Sequence, residues 1–292
     1  MTGQDDRVNG RTEGGGDGGG PGRDDADRFL PMIDEAAARG RLGGRRAVYQ
    51  GARSQAGSLG CAVAGVVVLG GLGLVLAMTE AAVLAVIPFG LLLVVPFSIR
   101  HERATSRKNG GLRLDLFEHG LTTVVQGSVR TVRYESTAVL QHVVRHTGAA
   151  GHTAYEYTLT DTEGAKLVLR GRVDTFGQVA QKGRIDSPQE WGPAIQQAVT
   201  RAQLPGAAAT MASGGRLDFG PLWMTRDEVG SARGAVPWEE VEEIRAANGI
   251  VRIKASGRGR GPGDTAVSRI PNLSLFLTVA ERRRVLGRRA AS

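Results

Sequence analysis

The chain has 292 residues, a formal charge of +8 and a pI near 10.3. A single cysteine excludes a disulfide framework and a thiolate metal cluster. The excess of Lys and Arg points to anionic counterparts, and its bunching beside one apolar stretch and at the C-terminal end favours a lipid surface over nucleic acid.

Residues 1–28 are Gly, Asp and Arg with few apolar side chains, so they are expected to be a disordered N-terminus. The glycine run from Gly14 to Gly20 lacks the G-K-[ST] ending of a phosphate loop. Residues 29–58 read as a basic juxtamembrane segment: a short interfacial helix over 29–39, then Leu42 to Tyr49 leading inward, with Tyr49 as an interfacial anchor. From Leu59 to Ile99 the only charge is Glu80, near the middle. One helix of that length would run roughly 60 Å, about twice the hydrocarbon core. The pattern therefore predicts a transmembrane helical hairpin over 59–99 that turns at Thr79-Glu80. Arg39, Arg41, Arg45, Arg46 and Arg53 precede it, and Arg100, Arg103, Arg107 and Lys108 follow it. The positive-inside rule then places both termini in the cytoplasm.

Past Asn109-Gly110-Gly111 the period changes to two. Leu112, Leu114 and Leu116 alternate with Arg113, Asp115 and Phe117, and further strands are expected over 129–134 and 139–144. Tyr155–Thr160 and Lys166–Arg170 flank Asp161-Thr162-Glu163-Gly164, a hairpin turn. Ser187-Pro188-Gln189-Glu190 reads as a capping box opening a helix, with a start at Pro193 as the alternative; Trp191, Ile195, Val199 and Ala202 recur at helical spacing, and Leu204-Pro205 closes it. A second, shorter pass follows. Arg216-Leu217-Asp218-Phe219 matches Arg113-Leu114-Asp115-Leu116, Ala235 to Glu240 matches Thr131 to Ser136, and Ile244-Arg245 matches Leu140-Gln141. Asn248-Gly249 signals a hairpin, and Asn272 caps a last helix with Leu273, Phe276, Leu277 and Ala280 on its apolar stripe. Strands followed by one helix thus occur twice, at an offset near one hundred residues, which reads as a duplication.

Catalytic constellations are weak. His142, Val144 and His146 alternate along one strand, with His152 beyond a Gly loop; a solvated β face explains them, and no metal and no cofactor is expected. Glu239, Glu240, Glu242 and Glu243 read as a solvated acidic rim, and Gly257-Arg258-Gly259-Arg260-Gly261, similar to an RNA-contacting tract but short and between strands, as a mobile loop. No Ser-His-Asp order or nucleophile elbow appears.

A strand meander closed by one C-terminal amphipathic helix resembles the pleckstrin-homology-like (PH-like) superfold. Phe117-Glu118-His119-Gly120-Leu121 and Val236-Pro237-Trp238-Glu239-Glu240-Val241 are similar to segments of bacterial PH-like domains. From residue 59 to about 286, and most closely over 190–199 and 217–222, the chain resembles an uncharacterised family of bacterial two-span membrane proteins with tandem PH-like domains. The resemblance implies an α+β chain with a transmembrane hairpin over 59–99. Two small antiparallel β-barrel repeats follow, over 112–208 and 214–290, each closed by a helix. The expected function is a membrane-anchored cytoplasmic binding or scaffolding protein, not an enzyme; the alternative is an enzyme or regulator with a site in the cleft between the repeats. The expected partners are the lipid bilayer, anionic inner-leaflet lipid and an unidentified protein, but not nucleic acid. Membrane-surface contact is expected from Arg100, Arg103, Arg107, Lys108, Arg282, Arg283 and Arg284.

Overall fold

A computed structural model of the chain describes residues 28–51, 111–125, 127–148, 151–174, 183–256 and 262–291. Helix α1 (Leu30–Arg39) starts with a proline in its first turn, where the missing N–H costs nothing. Its Ile33 and Ala37, with Phe29 and Leu42, bury against Phe117 and Val124. Fully burying a side chain the size of Ile33 or Leu42 stabilises the fold by roughly 1.5–3 kcal/mol.

Strands β1 (Arg45–Gln50), β2 (Arg113–Phe117), β3 (Gly120–Val125) and β4 (Ser128–Arg133) form one antiparallel sheet in that order. The segment expected to lead into a membrane is thus an edge strand, with Ala47 opposite Leu116 and Tyr49 opposite Leu114. Both sheet faces are covered, so β2 is buried along its whole length: Leu114 and Leu116 join the main core, and Phe117 meets α1. Gly51 and Leu112 are bonded neighbours across this sheet, the Gly51 N–H donating to the Leu112 carbonyl at 2.9 Å.

The expected hairpin 59–99, Arg100, Arg103, Arg107, Lys108 and residues 1–27 lie outside the described residues. Among the described residues no helix is long and apolar enough to cross a membrane. Helix α1 has only ten residues, and the last helix carries Arg282, Arg283 and Arg284. The expectation of a two-span membrane protein, and the cytoplasmic placement derived from it, is therefore corrected.

The PH-like barrel is corrected as well. After a 3-10 turn at Tyr134–Ser136, strands β5 (Ala138–His146), β6 (His152–Thr160) and β7 (Lys166–Asp174) make a second, separate sheet. A strap spans the gap without closing it into a barrel. The Ile185 N–H donates to the Arg170 carbonyl of β7 at 2.7 Å, and the Asp186 N–H to the Gln50 carbonyl of β1 at 2.9 Å.

Helix α2 (Pro188–Ala212) follows. Ser187 sits in the left-handed region, φ 52°, and its hydroxyl caps nothing, contrary to the expected capping box. Nor does the helix end at Leu204-Pro205. Trp191, Ile195 and Val199 fill the first core, while Ala207 and Met211 fill a second. With roughly 37 Å of length, one helix serves both cores, and the proline costs one backbone bond at the crossing.

The second half repeats the plan. Strands β8 (Leu217–Phe219), β9 (Leu222–Met224), β10 (Glu228–Ser231) and β11 (Gly234–Pro237) form a four-stranded sheet. After the 3-10 turn Trp238–Glu240 come β12 (Val241–Ala247), β13 (Ile250–Ala255), β14 (Thr265–Ala266) and helix α3 (Leu273–Ala291). The Tyr134 N–H donates to the His119 carbonyl and the Trp238 N–H to the Asp227 carbonyl, both at 3.0 Å, so the aromatic turns correspond. Strand order pairs β8 with β1, not with β2 as the Arg-Leu-Asp match suggests. Where residues 52–110 lie in the first half, the second has only Gly220-Pro221, with Gly220 at φ 69°.

Asn272, expected only to cap α3, joins the halves. Its Oδ1 accepts from the Val139 N–H at 2.7 Å and its Nδ2 donates to Gln203 Oε1 at 2.9 Å. Its own N–H donates to the Val139 carbonyl at 2.9 Å. Gln203 Nε2 in turn donates to the carbonyls of Tyr134 and Thr137, at 2.8 and 2.7 Å.

Candidate functional site

A groove of about 900 Å³ runs between α2 and the first sheet. Its helical wall is the stripe Ala194, Gln197, Ala198, Arg201 and Ala202, spaced three and four residues apart. This stripe lies beside the core stripe of Trp191, Ile195 and Val199. The facing wall is Arg46 and Ala47 of β1, the end of β2, the Glu118-His119 turn and Tyr134. The groove exists because these walls carry alanine. Ala47, Ala194, Ala198 and Ala202 stop at Cβ, so the helix and sheet stand apart without filling the space between them.

Its polar groups sit at the rim. Arg46 pairs with Glu118, which also accepts from the Gly44 N–H at 3.3 Å. Arg201 is exposed and makes no ion pair among the described residues. The Tyr134 phenol is held neutral, its pKa pushed far above the ordinary value by burial. The rim therefore offers one uncommitted guanidinium, and its only carboxylate is already engaged.

The corresponding corner of the second half is smaller, about 440 Å³, and lined by both signs of charge, including Arg226, Asp227, Glu228 and Arg283. Trp238 stands where the first half has Tyr134. A Cβ on Gly287 would come within 3.0 Å of the Trp238 backbone and Cβ, so α3 already lies against that turn.

The expected site residues disperse. Arg284 holds Glu281 with Nε at 2.9 Å and donates to the Glu242 carbonyl at 3.2 Å, so it serves the fold. Arg283 faces the second corner, while Arg282 lies with the exposed Val285 and Leu286. The three do not form one patch. His146 stacks on His152 with ring centroids 4.3 Å apart, whereas His142 lies opposite Glu156. Among the described residues no group of three His, Cys, Asp or Glu is placed to hold a metal. Glu242 pairs with Lys254 at 2.6 Å, and 257–261 lie outside the described residues. Between the halves, Asn272 Nδ2 donates to Gln203 Oε1 at 2.9 Å.

The groove is hidden in the sequence because Arg46 and Ala47 read as part of a membrane lead-in. The available signal was Ala194, Ala198 and Ala202 at a four-residue interval, with Arg201 beside them.

These features define a class: two fused halves, each with a four- and a three-stranded antiparallel sheet and a C-terminal helix, with an open groove beside α2. The chain belongs to the family described as "Family of unknown function (DUF6585)", whose model matches residues 30–289. That membership replaces the resemblance to two-span membrane proteins. No curated protein and no solved structure matches the chain.

Proposed function

We propose that the chain is a binding module without chemistry of its own, and that its α2 groove takes an elongated ligand with an apolar body and one acidic group. The observation that carries this reading is the alanine-walled groove with Arg201 on its helical wall. Apolar walls reward burial at roughly 25 cal/mol per Å², and an uncommitted guanidinium selects an anion. The groove sits between a rigid helix and a sheet covered on both faces, so little ordering cost falls on the protein when a ligand enters.

The test uses 1-anilinonaphthalene-8-sulfonate, an apolar probe with one sulfonate, on the full chain and two variants. Ala198→Trp fills the groove and should remove one binding component. Arg201→Gln should weaken that component about tenfold, the effect of one charged hydrogen bond. Thermal melts of both variants check the fold. Identical probe titrations for the native chain and Ala198→Trp would overturn the reading.

A further inference from the structure

Strand β12 is an edge of its sheet, whose order is β12-β13-β14. The two-residue turn Asn248-Gly249, with φ 51° and 75°, sets the register Ala247 opposite Ile250, Arg245 opposite Arg252 and Glu243 opposite Lys254. In an antiparallel ladder of this phase the odd residues bond to β13, and Ile244 and Ala246 direct their N–H and C=O groups off the sheet. Among the described residues one end of the edge is capped, where Arg284 reaches the Glu242 carbonyl.

In the first half the same edge is filled. Val139 buries its side chain in the first core and gives both backbone groups to Asn272. Ile244 is its counterpart: its side chain packs on the second core and its backbone groups point outward. The irregularity between Val241 and Glu243 shifts the correspondence by one residue from the Leu140 match drawn from sequence.

The charges beside Ile244 are self-complementary. Glu243 and Arg245 are both exposed, and neither makes a salt bridge among the described residues. Arg252, the cross-strand neighbour of Arg245, is committed to Asp264 through two bonds of 2.8 and 2.6 Å. If a second copy pairs antiparallel on this edge, with Ile244 on the two-fold axis, Glu243 falls opposite Arg245 of the partner subunit, and the reverse pair forms by symmetry. Directly opposed residues project to the same face and contact each other. We propose that β12 is a homodimerisation edge, joining two chains through Ile244 and two reciprocal Glu243–Arg245 pairs. This contact is separate from the groove. So small an interface gives a weak, concentration-dependent dimer.

The test is sedimentation of the full chain over a concentration series, with Glu243→Arg, Arg245→Glu and the double exchange. Each single reversal sets like charges opposite each other twice, and should weaken association about tenfold or more. The double exchange restores both pairs, and should return the dimerisation constant to within about threefold of native. Because both positions are exposed, all three variants should melt near the native temperature. A native chain that stays monomeric, association indifferent to the single reversals, or a double variant no better than the singles would each overturn the proposal.

Discussion

Replacing Asp115 with alanine is expected to lower the unfolding free energy by about 3–5 kcal/mol. Asp115 is fully buried in β2. It accepts from Arg113 Nε at 2.8 Å and Nη2 at 3.1 Å, and from Arg45 Nε at 2.9 Å. Arg113 is itself only 4 % exposed, so removing the carboxylate strips a buried cation of a two-pronged partner. Arg45 is better placed to recover, since its side chain is 29 % exposed and also holds Asp34 of α1. Asp115→Asn keeps the volume but turns an NH₂ toward the guanidinium groups; a loss of roughly 2 kcal/mol is expected. Denaturant unfolding of the full chain measures both. A loss below about 1 kcal/mol for Asp115→Ala would show that the two arginines do not depend on it. Because Arg45 adjoins Arg46 and Ala47, the same substitution should also loosen the β1 wall of the groove.

Asn272→Ala is expected to cost about 2–4 kcal/mol. It leaves the Val139 N–H and Gln203 Oε1 without their 2.7 and 2.9 Å partners. It also puts alanine at φ 51°, a conformation that asparagine tolerates better. Asn272→Gly separates the two causes, since glycine removes the backbone strain but not the lost hydrogen bonds. If the side-chain amide is the main term, Asn272→Gly should recover less than half of the loss. Full recovery would assign the whole effect to the backbone. Since the side chain bridges the halves, the variant should also broaden or split the native unfolding transition.

Local signals in the sequence were legible where the chain satisfies itself nearby. The turn at Asp161 works as its residues suggest: Oδ1 accepts from the Glu163 and Ala165 N–H groups, each at 2.9 Å, and Gly164 takes φ 86°. Trp191, Ile195 and Val199 are fully buried, as their spacing implies. Signals failed where the partner is far along the chain. The arginines of β1 resemble the flank of an apolar segment, and only pairing with β2, more than sixty residues on, makes it a strand. Asp115 follows the alternation of a solvated face because nothing local announces its burial with Arg113 and Arg45. Asn272 carries a cap signature, yet Val139 lies 133 residues away. Pro205 reads as a stop, and tertiary packing of Ala207 and Met211 overrides it. The groove is harder still to read, since a stripe of alanines marks an empty volume only once the opposite wall is known.

Residue-resolved amide hydrogen exchange over 45–50 tests the placement of β1 most directly, because that strand is one wall of the groove. The Gly51–Leu112 bond sets the phase of the ladder, so the Ala47 and Tyr49 N–H groups point toward β2 and the Val48 N–H points away. Slow exchange at Ala47 and Tyr49, with Val48 at least tenfold faster, is the expected pattern. Uniformly fast exchange from Arg45 to Gln50 would contradict it. Such a result would detach β1 from the sheet, removing the groove wall and the binding function built on it.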